Sequence, residues 1–328
     1  MSKSAKRRAK RPKLADTADR HALYEHSVQC AEAEIDFVDA TFRRLRKRKA
    51  SMLREDFCGT ANVCCEWVKR GPGRHAVGVD LDGEVLDWGR ANKLSALTRN
   101  QRDRITLLQD DVLTAKTGKV DIVSAMNFSY WLIQDRAQLK RYFKSVRSTL
   151  KKDGVFFLDA YGGYDSYKEI VEEREIDDDG DGFTYIWEQA AFDPITHRME
   201  CHIHFGFPVF SELRNAFNYE WRLWSVLEVR DLLLEAGFER VTVYWQGWDK
   251  DGEADGDFQP ATSADADAGW ICYLSAERSL APISDRTDPS APRPSPPGSF
   301  PRPSAVAPVS SLPAGPWPWH SARPPGQD

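Results

Sequence analysis

Three acids stand at the ends of short apolar runs, where a buried strand would deliver them to a ligand. They are Glu55 in SMLREDF, Asp80 in HAVGVDLD and Asp111 in RITLLQDDV, with Asp110 the alternative in the third. A carboxylate there accepts hydrogen bonds from hydroxyls or amines. Directly after Glu55 comes Phe57-Cys58-Gly59-Thr60-Ala61, a turn in which Gly59 lets the backbone approach a bound group closely. Asn127, Phe128 and Ser129 follow a fourth apolar run. Cys201-His202-Ile203-His204 lies in a strand-like stretch, so His202 and His204 share one face. Such a pair serves acid–base work or ligates a metal. No third ligand is evident, so a structural pair, or one histidine near substrate, is the preferred reading and no metal is assigned. Residues 177–188, DDDGDGFTYIWE, carry the letters of a calcium loop, with Asp177, Asp179, Asp181 and Glu188 as ligands and Gly182 at the turn. That loop needs a helix on each side, whereas FTYIWEQAAF reads as a strand and Thr184 takes an apolar position. A solvated hairpin loop fits better.

The elements that must position these residues alternate. SMLREDF, HAVGVDLD, RITLLQDDV, VDIVSAMNF and VFFLDAYGG read as strands, and CGTANVCCEWVKRG, GEVLDWGRANKLSAL and RAQLKRYFKSVRSTLKKDG as helices. Strands separated by helices of this length imply an α/β fold, a parallel sheet with helices on both faces. Ligands of such sheets bind past the carboxyl ends of the strands. Residues 164–225 switch to period two and predict an antiparallel β insertion. Ser225 and Glu228 form a capping box for the next helix, and RVTVYW and AGWICYLSA supply the last strands. The expected sheet has about seven strands, the final pair antiparallel.

Composition divides the chain. Of 19 prolines among 328 residues, 14 lie between Pro282 and Pro325, which predicts a disordered, proline-rich tail over 277–328. Residues 3–13 carry seven positive charges and almost nothing apolar, which predicts a disordered basic head over 1–20. The folded part is then 21–276. No run of 18 apolar residues exists, so no membrane partner is expected. No apolar stretch follows the basic start, and the six cysteines include no CxxC. A cytoplasmic protein with reduced thiols is the expectation.

LREDFCGTANVCCEW, residues 53–67, resembles motif I of the class I S-adenosylmethionine (SAM)-dependent methyltransferases, an acid-x-Gly-x-Gly-x-Gly run after the first strand. The resemblance covers about residues 20–276, and NFSYW, LDAYGG and YEWRLW also carry it. It implies a Rossmann-like methyltransferase sheet and SAM as cofactor. Glu55 takes the place of the acid, Phe57 and Ala61 those of the first and third glycines, and Gly59 keeps the second. Asp80, 25 residues after Glu55, would accept from the ribose hydroxyls, in line with the roughly 20-residue spacing of ribose-binding acids. Leu81 would flank the adenine, Asp111 or Asp110 would take its amino group, and Val112 would offer an amide to the ring. Asn127, Phe128 and Ser129 would line the methyl-donor end. ALYEHSVQ is expected to form a covering helix with Tyr24 and Gln29 as lid contacts.

The acceptor expected is a small molecule entering under the β insertion and attacking through N or O, with His202, His204 and Tyr161 as candidate bases. An RNA or protein methyltransferase docking through the basic head, and a SAM-binding regulator without turnover, are the alternatives. A nicotinamide enzyme is disfavoured because FCGTAN lacks GxGxxG. Neither the acceptor nor the oligomeric state is fixed by these residues. The aromatic residues Tyr161, Tyr164, Tyr185, Trp187, Tyr219, Trp221 and Trp224 form either a cage or a packing layer.

Overall fold

A computed structural model describes residues 14–177, 182–208, 211–248 and 254–279. It opens with three helices, α1 (Leu14–Thr17), α2 (Arg20–Val28) and α3 (Ala31–Arg46). Asp19 starts α2 by accepting from the His21 and Ala22 amides. The Ala15 amide donates to Ser211 Oγ, so ordered chain begins before residue 21. The head expected over 1–20 is therefore corrected for 14–20; residues 1–13 lie outside the described residues.

The alternation follows: β1 (Met52–Asp56), α4 (Asn62–Lys69), β2 (His75–Asp80), α5 (Gly83–Asn92), α6 (Arg99–Arg102), β3 (Ile105–Gln109), β4 (Val120–Ala125), α7 (Arg136–Thr149) and β5 (Leu150–Gly162). Next come four strands, β6 (Ile170–Ile176), β7 (Phe183–Phe192), β8 (Arg198–Phe207) and β9 (Ser211–Arg222), which pair in that order as an antiparallel sheet. The chain then forms α8 (Val226–Glu235), β10 (Arg240–Trp248), β11 (Ala254–Ala261) and β12 (Trp270–Glu277).

The main sheet runs β11-β10-β12-β5-β4-β1-β2-β3. The five strands β1–β5 are mutually parallel, and β12, β10 and β11 add antiparallel neighbours. It has eight strands rather than the seven expected. The extra one, β11, reads ADGDFQPA; its acids, glycine and proline conceal a strand. An edge position tolerates Pro260, because an outward-facing N–H is not needed there. The last described strand also extends to Glu277, one residue past the expected boundary.

Both faces are covered. Ile35, Val38 and Phe42 of α3 join Cys64, Trp67 and Val68 of α4 and Leu86 of α5 in one buried cluster against Leu53, Ile122 and Phe157. Leu139, Phe143 and Val146 of α7 and Val229 and Leu232 of α8 belong to a second cluster. That second core also takes in Tyr185 and Trp187 of β7 and Cys201, Ile203 and Phe205 of β8. Alternate residues of β7 are buried, as a strand with one covered face requires. The insertion thus shares the main sheet's core, so its position over the sheet is fixed by packing. Among the described residues no helix is long and apolar enough to cross a membrane. The 177–188 loop includes 178–181, outside the described residues, and most of the tail lies outside them too.

Candidate active site

The first strand ends in a run of left-handed residues. Phe57, Gly59 and Ala61 have φ of 56°, 50° and 62°. These are the three positions that glycine holds in the motif, so the backbone keeps the loop although two side chains have changed. Each non-glycine residue in this region costs about 1–2 kcal/mol. Surrounding contacts hold the loop there. Cys58 N donates to Val79 O at 3.1 Å, Ala61 N to Cys58 O at 2.8 Å, and Gly59 N to Asp80 Oδ2 at 2.8 Å. A Cβ at Gly59 would meet no atom within 4 Å, so the space over this backbone is open.

That space belongs to a cavity of about 670 Å³ at the carboxyl ends of the parallel strands, within the range of small-ligand sites. It is lined by Glu55, Phe57, Cys58, Gly59, Thr60, Asp80, Leu81, Asp111, Val112, Asn127 and Ser129, and by Tyr24 and Gln29 from the N-terminal helices. Three of the expected cofactor residues do not line it. Ala61 is fully buried beneath the turn, Phe128 packs into the core 5.1 Å from Trp131 (ring centroids), and Asp110 gives way to Asp111. Asp110 instead accepts the Asp111 amide at 2.7 Å, which turns the next carboxylate toward the cavity loop.

Asp80 accepts from Gly59 and Asp82 amides, one on each oxygen, at 2.8 and 2.9 Å. Each oxygen keeps a further lone pair for a ligand. Asn127 and Phe128 are both left-handed, with φ of 58° and 55°. Asp159 on β5 holds that turn, accepting the Asn127 amide at 2.7 Å and the Phe128 amide at 2.9 Å. It belongs to LDAYGG but not to the expected site. The signal was there: a lone acid inside the apolar run VFFLDA needs buried partners.

The roof comes from α2 and the insertion. Ala216, Phe217, Asn218 and Tyr219 of β9 line the cavity beside Arg20, His21 and Tyr24 of α2. Tyr24 and Phe217 lie 4.9 Å apart, and Arg20 donates to Ala216 O at 3.4 Å. Farther along, Glu25 joins the helix to the motif loop through Thr60 Oγ1 at 2.5 Å and to the end of α5 through Lys93 Nζ at 2.6 Å.

The candidate bases sit elsewhere. Neither His202 nor His204 lines the cavity. His204 is buried in β8, where Nδ1 accepts the Asn215 amide at 2.8 Å and Nε2 faces Glu188 at 2.9 Å. Both nitrogens are used within the insertion. His202 Nδ1 meets Asn218 at 2.7 Å, behind the cavity wall. Tyr161 lines a separate cavity of about 590 Å³ with Trp245 and Trp270. Of the aromatic group, Tyr185, Trp187, Trp221 and Trp224 are core residues, and Tyr219 alone lines the site. Among the described residues no group of three or more His, Cys, Asp or Glu is placed to hold a metal.

Three acids around the inner wall carry raised pKa values. Burial pushes Glu55 up to about 8 and Asp159 up to about 7, partly offset by the backbone amides they accept. Burial raises Glu34 well above the usual carboxyl range, and Asp159 and Glu55 nearby add to it. For each acid the ionised form is costlier folded than unfolded. Its contribution is therefore retained below the ordinary carboxyl range and lost as pH rises through the raised value. The ligand-free protein is expected to melt several degrees higher at pH 6 than at pH 8, by calorimetry. A melting temperature that rises over this interval would contradict the assignment of these three groups.

Fold and site together are those of a Rossmann-like α/β domain with a ligand cavity past the carboxyl ends of its parallel strands. Residues 58–156, from the motif turn to β5, match the family described as a methyltransferase domain. The Bacillus subtilis (strain 168) protein YqeM, named as a methyltransferase, is 25% identical over 194 residues, which cover 56% of this chain and 73% of that one. Among solved structures, SAM-bound CalS10, an amino pentose methyltransferase from Micromonospora echinaspora, aligns with a TM-score of 0.57 at 17% identity, covering 79% of this chain and 96% of that one. The sugar N-methyltransferase KedS8 from Streptoalloteichus aligns at 0.56 and 17%, covering 85% and 99%. At such identities the two structures establish the fold.

Proposed function

We propose that the protein transfers the methyl group of SAM to a nitrogen or oxygen of a small molecule. One observation carries this reading: Ala216–Tyr219 of the β insertion line the same cavity as the motif turn. A roof built from α2 and β9 suits a compact acceptor enclosed beside the cofactor. Asp80 and Asp111 would hold the ribose and adenine, and Gly59 leaves room for the methionyl chain. SAM, when bound, supplies a methyl on a sulfonium, an electrophile whose leaving group needs no proton. The chain's own task is then to align a nucleophile in line with that methyl and to exclude water. Phe57, Tyr24, Phe217 and Tyr219 provide apolar walls for that purpose. A protonated amine held among them loses its proton more readily than in water, because burial disfavours its charge.

Thermal shift with SAM and with its demethylated product tests the reading. Both are expected to raise the melting temperature by several degrees at concentrations well above Kd. Asp80→Ala is expected to remove most of that shift, since it deletes the ribose acceptor and releases the Gly59 amide. No shift for either compound at millimolar concentration would overturn the function. A full shift in Asp80→Ala would overturn the ribose assignment.

A further inference from the structure

Glu34 is the second polar residue of α3 and is 1% exposed. It lines the cavity, yet neither carboxyl oxygen has a hydrogen-bond partner of acceptable geometry. The amide of Asn127 faces it, and the Asn127 Oδ1 is itself buried without a partner. Glu55 and Asp159 stand close enough to act on its charge, and no lysine or arginine among the described residues is paired with it. Tyr24 on α2 and Tyr273 on β12 also face it. An unpartnered buried carboxyl costs about 1–3 kcal/mol or more, so a fold tolerates one where something else arrives to satisfy it. What this wall lacks is a donor with positive charge.

We propose that Glu34 and the Asn127 side chain form the acceptor site for the α-ammonium group of SAM. This rests on the methyltransferase reading, which places the methyl-donor end of the cofactor beside Asn127. The wall offers three free acceptor atoms, Glu34 Oε1 and Oε2 and Asn127 Oδ1, and an ammonium carries three donors. Glu34 reaches this point from a helix that precedes β1, so the N-terminal helices do more than cover the pocket. They supply the countercharge for the cofactor's amino-acid end. The same contact selects SAM and its demethylated product over nucleosides that lack the amino acid.

Calorimetric titration separates the possibilities by using S-adenosylhomocysteine, which keeps the ammonium, and 5′-methylthioadenosine, which lacks it. With Glu34→Gln the homocysteine compound is expected to lose about 10–100-fold in affinity, the scale of one charged hydrogen bond. Methylthioadenosine affinity is expected to stay within about twofold. The melting temperature of ligand-free Glu34→Gln is expected to equal or exceed that of the native protein, because a neutral amide replaces an unpaired buried acid. A residue needed only for structure would move stability the other way. Equal affinity of native and variant for S-adenosylhomocysteine overturns the proposal and leaves the methyltransferase reading standing. An equal loss for both compounds overturns it as well, as a general disturbance of the pocket. Failure of the native protein to bind either compound removes the reading on which it rests.

Discussion

Gly89→Ala is expected to lower stability by about 2–3 kcal/mol and to weaken SAM and its product at least tenfold. The reason is contact, not backbone freedom. Gly89 lies inside α5 with ordinary helical dihedrals, where alanine is normally the better residue. A Cβ there would stand 2.4 Å from the Thr60 carbonyl oxygen and 2.9 Å from its carbon. Both atoms are backbone of the motif turn, so no side-chain rotation relieves the clash. Either α5 moves off the turn, or the turn moves. Thr60 is tied to Glu25, and Ala61 and Gly59 are tied to Cys58 and Asp80. A shift at Thr60 is therefore passed to the amide that Asp80 holds. Denaturant unfolding and product titration read the two effects together. A Gly89→Ala protein more stable than native, as helix propensity alone dictates, would show that α5 stands farther from the turn.

The acids that lie on the strand ends were legible because period and position mark them. Asp80 and Asp111 follow apolar runs and need no tertiary information to be placed on one edge of a parallel sheet. Phe57 and Ala61 were legible only through the resemblance to the motif, since neither residue type signals a left-handed backbone. The structure shows that the conformation outlasts the glycines. Glu34 and Asp159 were hidden for the opposite reason. Glu34 sits in AEAEIDF, where an acid on an amphipathic helix reads as a solvated face. Its burial depends on α3 packing against α4 and β5, which sets Glu34 near Glu55, Asn127 and Asp159 and which no local pattern encodes. His202 and His204 illustrate the converse error. Their shared strand face was read correctly, but which side of the β sheet meets the cavity is set by β9, which turns Phe217 and Tyr219 inward on the alternate face from the one where Asn218 meets His202. β11 went unseen because an edge strand tolerates a composition that an interior strand does not.

Arg54→Ala is expected to be among the most destabilising single changes in the domain, at about 3–5 kcal/mol. For a domain of this size that corresponds to a fall of about 6–20 °C in melting temperature. Arg54 is wholly buried in β1. Its Nε donates to Asp56 Oδ1 at 2.5 Å, and its Nη2 to Val112 O at 2.9 Å. A longer bond runs from Nη1 to Ala115 O at 3.3 Å. Tyr142 on α7 donates to the other Asp56 oxygen at 2.9 Å. The guanidinium thus joins the central strand to the loop that carries Asp111 and Val112 into the cavity. Removing it strands a buried carboxylate and leaves two carbonyls without donors. Burial already raises the Asp56 carboxyl despite Arg54, so loss of the cation is expected to raise it further. The Arg54→Ala protein should then recover part of its loss as pH is lowered. Arg54→Lys is not expected to rescue it, because an ammonium cannot span Asp56 and both carbonyls at once. Replacing both charges, Arg54→Met with Asp56→Leu, is expected to cost less than the sum of the single changes, since no unpaired charge remains. Additive losses in that double variant would mean that the pair contributes only as two independent packing groups.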